Sequence, residues 1–406
     1  MKILLLSFYY PPDLSAGSFR TVALVRELEK RLPKGSQIDV LTTQPNRYAS
    51  YSTKAPADEI RGIVSIHRVK LPPHQSGMFD QAKAFGAFYL GANRFLRGRH
   101  YDLVIATTSR LMTGFLGARI ATRIGCPFYL DVRDIFIDTL NDLFKRKAFR
   151  LLLPILDRLE SYTIRRADRI NLISAGFVDY FSSKYALKRY DQFTNGIDEE
   201  FLAKFETATD DDFAESSSGL TVLYAGNIGA GQGLEHIIPP LAKALGSEYH
   251  FVVVGDGGRR QALQQHCENL EVSNVRIEPA VSRTELLEYY RRSDVLFLHL
   301  NDIPAFEKVL PSKIFEYAAL HKPILAGVRG HAAEFLEQNV SGSWVFNPCD
   351  TATAAECLKE IATEGGGQDY SRDEFCNIYR RSSIMEQWVD AILDASSSPE
   401  PDGKLI

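Results

Sequence analysis

The stretch VLPSKIFEYAALHKPILA, residues 309–326, decides what kind of fold this chain adopts. Pro311 suits the first turn of a helix, where its missing N–H would have no partner anyway. Phe315, Ala318 and Ala319 give that helix an apolar i, i+3, i+4 face, and His321-Lys322-Pro323 ends it. Ile324-Leu325-Ala326 then reads as a short buried strand. A helix running straight into an apolar strand belongs to a sheet whose faces are covered by helices. The same helix begins beside Lys313 and carries Glu316 in its first turn. Its N-terminus offers a place for a phosphate. Lys313 and Glu316, three apart, share one face, and a surface ion pair accounts for that spacing equally well.

A chain of 406 residues favours two domains over one. Its 45% hydrophobic and 24% charged content is that of a soluble globular protein with a substantial core. The net charge of −4 gives no whole-chain argument for nucleic acid. Five scattered cysteines, odd in number and without CxxC spacing, fit a reducing compartment. They argue against a disulfide framework and a structural zinc, and no metal is expected. The apolar run Ile3–Leu6 is too short for a signal peptide, and Tyr9-Tyr10-Pro11-Pro12 replaces a small-residue cleavage site. No apolar run approaches the roughly 18 residues of a membrane span. The expectation is a cytoplasmic protein.

Apolar strands alternate with helical patterns throughout. In the first half the strands are Ile3–Ser7, Ile38–Thr42, Ile63–Val69, Leu103–Ala106, Phe128–Val132 and Arg169–Ile173, with helices such as Ser18–Arg31 and Leu111–Ile124 between them. The rhythm breaks after Asn195-Gly196-Ile197-Asp198, in a polar, acid- and serine-rich stretch that reads as a linker. It restarts with Thr221–Tyr224, Phe251–Val254, Val275–Ile277, Val295–Leu298, Pro323–Ala326 and Trp344–Phe346. Ser282-Arg283-Thr284-Glu285 is a capping box, and Phe375–Leu393 is the last helical pattern. The expected fold class is α/β: two Rossmann-like, doubly wound domains facing a central cleft. Their bounds are 1–200 for the first domain, 201–219 for the linker and 220–374 for the second. Residues 375–406 form a terminal helix, which could cross back to the first domain, and a tail.

Four loops at strand ends carry the candidate chemistry. In the first, FYYPPDLSAGS (8–18), Gly17 precedes a helix and would let backbone approach a phosphate, although a proline-rich turn explains it too. In GNIGAGQG (226–233), four glycines in eight positions bracket Asn227 and Gln232 and point to a ligand loop. GDGGRR (255–260) lacks the third glycine of a dinucleotide fingerprint. Either Arg259 or Arg260 reaches a phosphate there, or both are solvated. The fourth loop is the opening stretch, with Ser312, Lys313 and Glu316.

These motifs, in this order, together with FYYPP…GS and DVRD (131–134), resemble the retaining glycosyltransferases of family 4, which have the GT-B fold. The resemblance spans nearly the whole chain. In detail it is nearest to bacterial surface-polysaccharide (O-antigen, lipopolysaccharide or capsule) N-acetyl-L-fucosamine transferases. It implies a nucleotide diphosphate sugar, UDP-linked by expectation, as donor and no cofactor. It also implies that Glu316 binds the ribose hydroxyls, that Ser312 and Lys313 hold the diphosphate, and that Gly17 packs on it from the other domain. Asn227, Gln232, Gly255 and Arg259 complete the donor set. Gln232 stands where many relatives have lysine, so Lys313 or Arg259 must carry more charge. The motif's first glutamate falls on Lys308, with Glu307 one place off. No histidine replaces the family's usual one, so Asp131 or Arg133 becomes the sugar contact, and His299 reads as structural. The catalytic candidates are therefore Asp131, Arg133, Glu307 and Lys313.

Between Lys145 and Arg169 stand eight basic and three acidic residues interleaved with Phe and Leu, and residues 84–101 are again aromatic and basic. Such stretches favour an anionic membrane surface, or else form the solvated edge of a packed helix. The leading expectation is transfer to a growing, polyprenyl-linked surface glycan by an enzyme peripheral on the inner face of the cytoplasmic membrane. A UDP-sugar 2-epimerase, a non-catalytic sugar-nucleotide-binding protein and a dinucleotide-dependent oxidoreductase are the alternatives.

Overall fold

The computed structural model describes residues 1–46, 55–72, 78–108, 110–138, 152–205, 219–364 and 370–397. The chain forms two compact units, dividing at Asn195/Gly196 and again at Arg381/Ser382. The final helix therefore belongs, from Ser382 on, with the amino-terminal unit. Most of the expected linker, 201–219, lies outside the described residues.

The amino-terminal unit holds β1 (Lys2–Leu6), β2 (Gln37–Thr43), β3 (Asp58–Arg61), β4 (Val64–Val69), β5 (Leu103–Thr107), β6 (Phe128–Val132), β7 (Arg169–Leu172) and β8 (Tyr190–Asp191). They lie in the order β3-β4-β2-β1-β5-β6-β7-β8, all parallel except the β3–β4 hairpin. Strands buried on both faces need apolar residues throughout, and Ile3, Leu4, Leu5 and Leu6 are all buried. Helix Leu111–Ile124 packs closely on this sheet through Gly114 and Gly117. An added Cβ there would meet Thr108 at 2.8 Å and Ala106 at 2.7 Å.

The second unit holds β9 (Leu220–Asn227), β10 (Tyr249–Asp256), β11 (Val275–Glu278), β12 (Val295–His299), β13 (Ile324–Gly327) and β14 (Ser343–Phe346). All are parallel, in the order β11-β10-β9-β12-β13-β14. Strand order reverses at β9, so the loops after β9 and β12 open side by side at the carboxyl edge of the sheet, where α/β folds bind ligands. The capping box forms as read: Ser282 N–H donates to Glu285 at 2.9 Å and Glu285 N–H to Ser282 Oγ at 3.3 Å.

Three elements differ from expectation. Strand β3 carries only one apolar residue, Ile60, which is exposed, and β8 spans two residues; both lie at sheet edges, where no apolar run is required. The terminal helix is two helices, Asp373–Ile378 and Arg381–Ser397. Between them Ile197 N–H donates to Tyr379 O and Arg381 N–H to Ile197 O, both at 2.8 Å. Those backbone groups are spent on a bridge instead of on helical turns.

Under the amino-terminal sheet, Arg20 is almost wholly buried. It donates to Asp131 Oδ1 at 3.2 Å, to Phe193 O at 2.7 Å and to Thr194 O, and stacks over the Trp388 ring at 4.0 Å. Asn171 Nδ2 donates to the same Asp131 oxygen at 2.8 Å. Removing one partner of a buried pair leaves the other charge uncompensated, at a cost of about 3–5 kcal/mol. The protein has two tryptophans, Trp344 and Trp388, one in each unit. In a Trp344→Phe background, Trp388 fluorescence during urea unfolding should report a loss of about that size for Asp131→Ala; a loss near zero would show that the pair contributes nothing.

Candidate functional site

The site in the second unit begins with a crowded strand end. Gly226 and Gly255 are register partners on β9 and β10. A Cβ on Gly255, whose φ is +156°, would lie 1.8 Å from the Gly226 carbonyl oxygen, so no side chain fits there. Gly226, at φ +145°, is closed by another neighbour: an added Cβ would lie 2.2 Å from Lys313 Nζ. The ammonium of Lys313, the first residue of helix Lys313–Ala318, thus passes directly over the end of β9. It sits 5.1 Å from the centre of the Tyr224 ring, whose hydroxyl donates to Asn227 O at 2.7 Å.

Beyond Gly226 the glycine loop is tied from within. Asn227 Nδ2 and Gly229 N–H both donate to Gln232 Oε1, at 2.8 and 3.2 Å. Asn301, at the end of β12, straps it from outside by donating to Gly231 O and Ala230 O at 2.8 and 2.9 Å. His299 is fully buried. Its Nε2 accepts the Cys349 N–H at 3.0 Å, so the proton is on Nδ1 and is donated to Gln232 O at 2.6 Å. Burial pushes its pKa down to about 4. His299 is a neutral pin for the loop, as its place at a strand end suggests.

Glu316 lies in the first turn of the same helix as Lys313 and is half-buried. Among the described residues no hydrogen bond or ion pair engages its carboxylate. Burial raises its pKa above the ordinary value; Arg283, Lys313 and Arg381 draw it back, and Asp198 works against them. A half-buried acid with no partner has acceptor capacity to offer a ligand. Ser312 stands just before it, half-buried, and its side chain does not cap the helix.

The other candidates are otherwise engaged. Arg259 Nε is held by the buried carboxylate of Glu235 at 2.5 Å, so its charge is already matched. Glu307 pairs with Arg329 at 2.9 Å, and Arg329 also reaches Asp302 at 2.7 Å. In the amino-terminal unit, Asp131 does not fit a sugar contact. Its side chain is 1% exposed, and its oxygens are taken by Arg20 and Asn171. Arg133 is half-buried, with its N–H on Thr108 Oγ1 at 3.0 Å and its guanidinium 3.5 Å from Asn195 Oδ1. Gly17 is buried inside helix Ala16–Arg31, and its carbonyl accepts from Thr21 at 2.8 Å. The structure therefore brings together Asn227, Gln232, Gly255, Lys313 and Glu316, with Ser312 beside them. Sequence reading missed Asn301, which only a polar residue at a strand's carboxyl end hinted at. It also missed Arg283 and Asp198, which face Glu316 from other segments. Among the described residues no three His, Cys, Asp or Glu side chains gather as a metal site would require.

Residues 17–196 match the family model "Glycosyl transferase 4-like domain" and residues 206–373 match "Glycosyl transferases group 1". The chain is 23% identical to the probable glycosyltransferase WbjE of Pseudomonas aeruginosa over 69% of its own length and 71% of that protein's. It is 23% identical to the putative colanic acid biosynthesis glycosyl transferase WcaI of Escherichia coli K12, over 79% and 81%. Its fold superposes with TM-score 0.67 on Anabaena HepE solved with UDP-glucose, covering 97% and 100% of the two chains at 15% identity. With a glycosyltransferase domain matched in each half and two parallel α/β units in the fold, the chain is a GT-B glycosyltransferase.

Proposed function

We propose that this enzyme transfers a sugar, with retention of anomeric configuration, from a UDP-sugar to a growing lipid-linked surface glycan. The carboxylate of Glu316, beside Lys313 and without a hydrogen bond or ion pair among the described residues, carries this reading. A ribose presents two adjacent hydroxyls, and one carboxylate can accept both in charge-assisted bonds. The Lys313 ammonium, laid over a strand end cleared by two glycines, suits the diphosphate, whose negative charge grows as the sugar leaves. Ser312 supplies a further donor, and the Asn227–Gln232 loop lies against the same strand end. The neighbour HepE was solved with UDP-glucose, and WcaI is named for colanic acid biosynthesis. UDP-N-acetyl-L-fucosamine is the first donor to assay, with other UDP-hexoses beside it. Acceptor-dependent release of UDP is the defining observation. Release without acceptor, or interconversion of the sugar alone, would count against transfer.

A membrane acceptor is supported by a groove in the amino-terminal unit. Helices Met78–Phe95, Leu111–Ile124 and Leu153–Arg166 border a cavity of about 270 Å³ lined by Tyr89, Asn93, Arg119, Thr122, Arg123 and Tyr162, among others, none of them acidic. Leu90, Leu152 and Ile155 are exposed on two of these helices or their ends. Cationic and apolar groups together suit an anionic bilayer surface. The cluster Lys145, Arg146, Lys147 and Arg150 lies outside the described residues.

Three outcomes are expected. Glu316→Gln should weaken UDP binding by about 1.5–3 kcal/mol in calorimetry, with the fold intact by circular dichroism; unchanged affinity removes the ribose assignment. Gly226→Ala, which takes the space of the Lys313 ammonium, should cut kcat by about 10²–10³ and mimic Lys313→Ala; full activity would place that charge elsewhere. Arg119→Glu with Arg123→Glu should lower cosedimentation with anionic vesicles at low salt and leave UDP affinity unchanged. Equal sedimentation of variant and wild type would reduce the groove to a solvated surface.

A further inference from the structure

The charges around Glu316 are not arranged as its ion pair. Arg283, at the start of helix Arg283–Arg292, donates through one terminal nitrogen to Asp198 Oδ2 and reaches Glu200 through Nε at 3.1 Å. Its guanidinium lies over the Phe201 ring at 4.9 Å, and it and Asp198 are only 20% and 16% exposed. The other oxygen of Asp198 holds Arg381 at 2.7 Å, and Arg381 is fixed in turn by donation to Gly196 O at 3.0 Å. Asp198 is thus clamped between two arginines, one of them anchored to backbone. The helices that carry Arg283 and Glu316 meet through the Tyr290 and Tyr317 rings, 5.9 Å apart; Arg283 acts on the Glu316 charge through space, and no hydrogen bond or ion pair joins the two.

From this network we infer that Asp198 is a positioning residue that keeps the Arg283 guanidinium beside Glu316 while preventing it from closing on that carboxylate. A buried guanidinium meeting a lone carboxylate would form a bidentate pair and occupy both oxygens. Asp198 outcompetes Glu316 for Arg283, because it is held in place from its other side. Glu316 therefore keeps a nearby positive charge that favours its ionised form and two oxygens open to a vicinal diol. The inference rests on Glu316 being the ribose-binding carboxylate.

The titratable and charged groups that act on Glu316 are Arg283 and Tyr290 from their helix, Lys313 and Tyr317 from its own, Asp198 from the segment before Glu199, and Arg381. Removing Arg283 takes away a charge that lowers the Glu316 pKa, so in Arg283→Met that pKa rises. UDP binding, which needs the carboxylate ionised, then appears only at higher pH. Removing Asp198 takes away a charge that raises it and releases Arg283, so in Asp198→Asn the Glu316 pKa falls. UDP affinity falls at every pH, by about tenfold for one charge-assisted bond lost.

Titration of ¹³C-carboxyl-labelled glutamate, with Glu316 assigned through Glu316→Gln, reads the pKa in the protein without ligand. The two variants should move it in opposite directions. Calorimetry with UDP at pH 8 supplies the second arm: Asp198→Asn with Arg283→Met should bind UDP more tightly than Asp198→Asn alone, since no guanidinium is left to close. Equal affinity of the double and single variants, or pKa shifts of the same sign, would overturn the inference. Should the wild-type protein not bind UDP at all, the donor reading fails by itself, and the carboxyl titration still decides what Asp198 and Arg283 do to Glu316.

Discussion

In each unit one central strand is hydrogen-bonded to neighbours reached by crossovers in opposite directions, and the rest of the architecture answers to that constraint. β1 lies between β2 and β5, and β9 between β10 and β12. At such a strand the flanking loops diverge and leave backbone exposed at the carboxyl edge. In the second unit that edge is packed so closely that positions 226 and 255 exclude a β-carbon. Gly255 is demanded by the sheet itself, through the Gly226 carbonyl, and Gly226 by the Lys313 side chain that crosses it. The route they leave open is the one the Lys313 side chain follows.

Around that edge, side-chain charges are sorted by competition. Wherever a carboxylate stands close enough, the arginine is already satisfied: Arg259 by Glu235, Arg329 by Glu307 and Asp302, Arg283 by Asp198 and Glu200. Among the described residues, Glu316 is an acid near that edge that this matching passes over. A protein has little reason to keep a half-buried, unmatched carboxylate for stability, since desolvation without partners opposes folding. On the proposed reading, that cost is accepted for ligand binding.

Much of this was legible in the sequence because burial on both faces of a parallel sheet forces long apolar runs. β6 appears at its expected residues, and the other core strands lie within a few residues of theirs. The glycine loop and the lysine–glutamate helix were legible too, as patterns of residue type at strand ends. Pairings were not. Nothing in DVRD says that Asp131 belongs to an arginine more than a hundred positions earlier, because such a contact depends on tertiary placement and has no local periodicity. The break in the last helix escaped for the same reason. Its cause, Ile197, lies in a distant part of the chain.

The packing of Trp388 under Arg20 bears on how the protein is made. The core of the amino-terminal unit is completed by a helix near the other end of the sequence, with Tyr129 and Phe193 also against that ring. A ribosome delivers the eight strands of that sheet first, then the whole second unit, and only then the missing wedge. During that interval the early unit carries an open seam around a buried arginine, while the later one can close as soon as its own residues emerge. The second unit is therefore expected to mature before the first, in the reverse of the order in which they are synthesised.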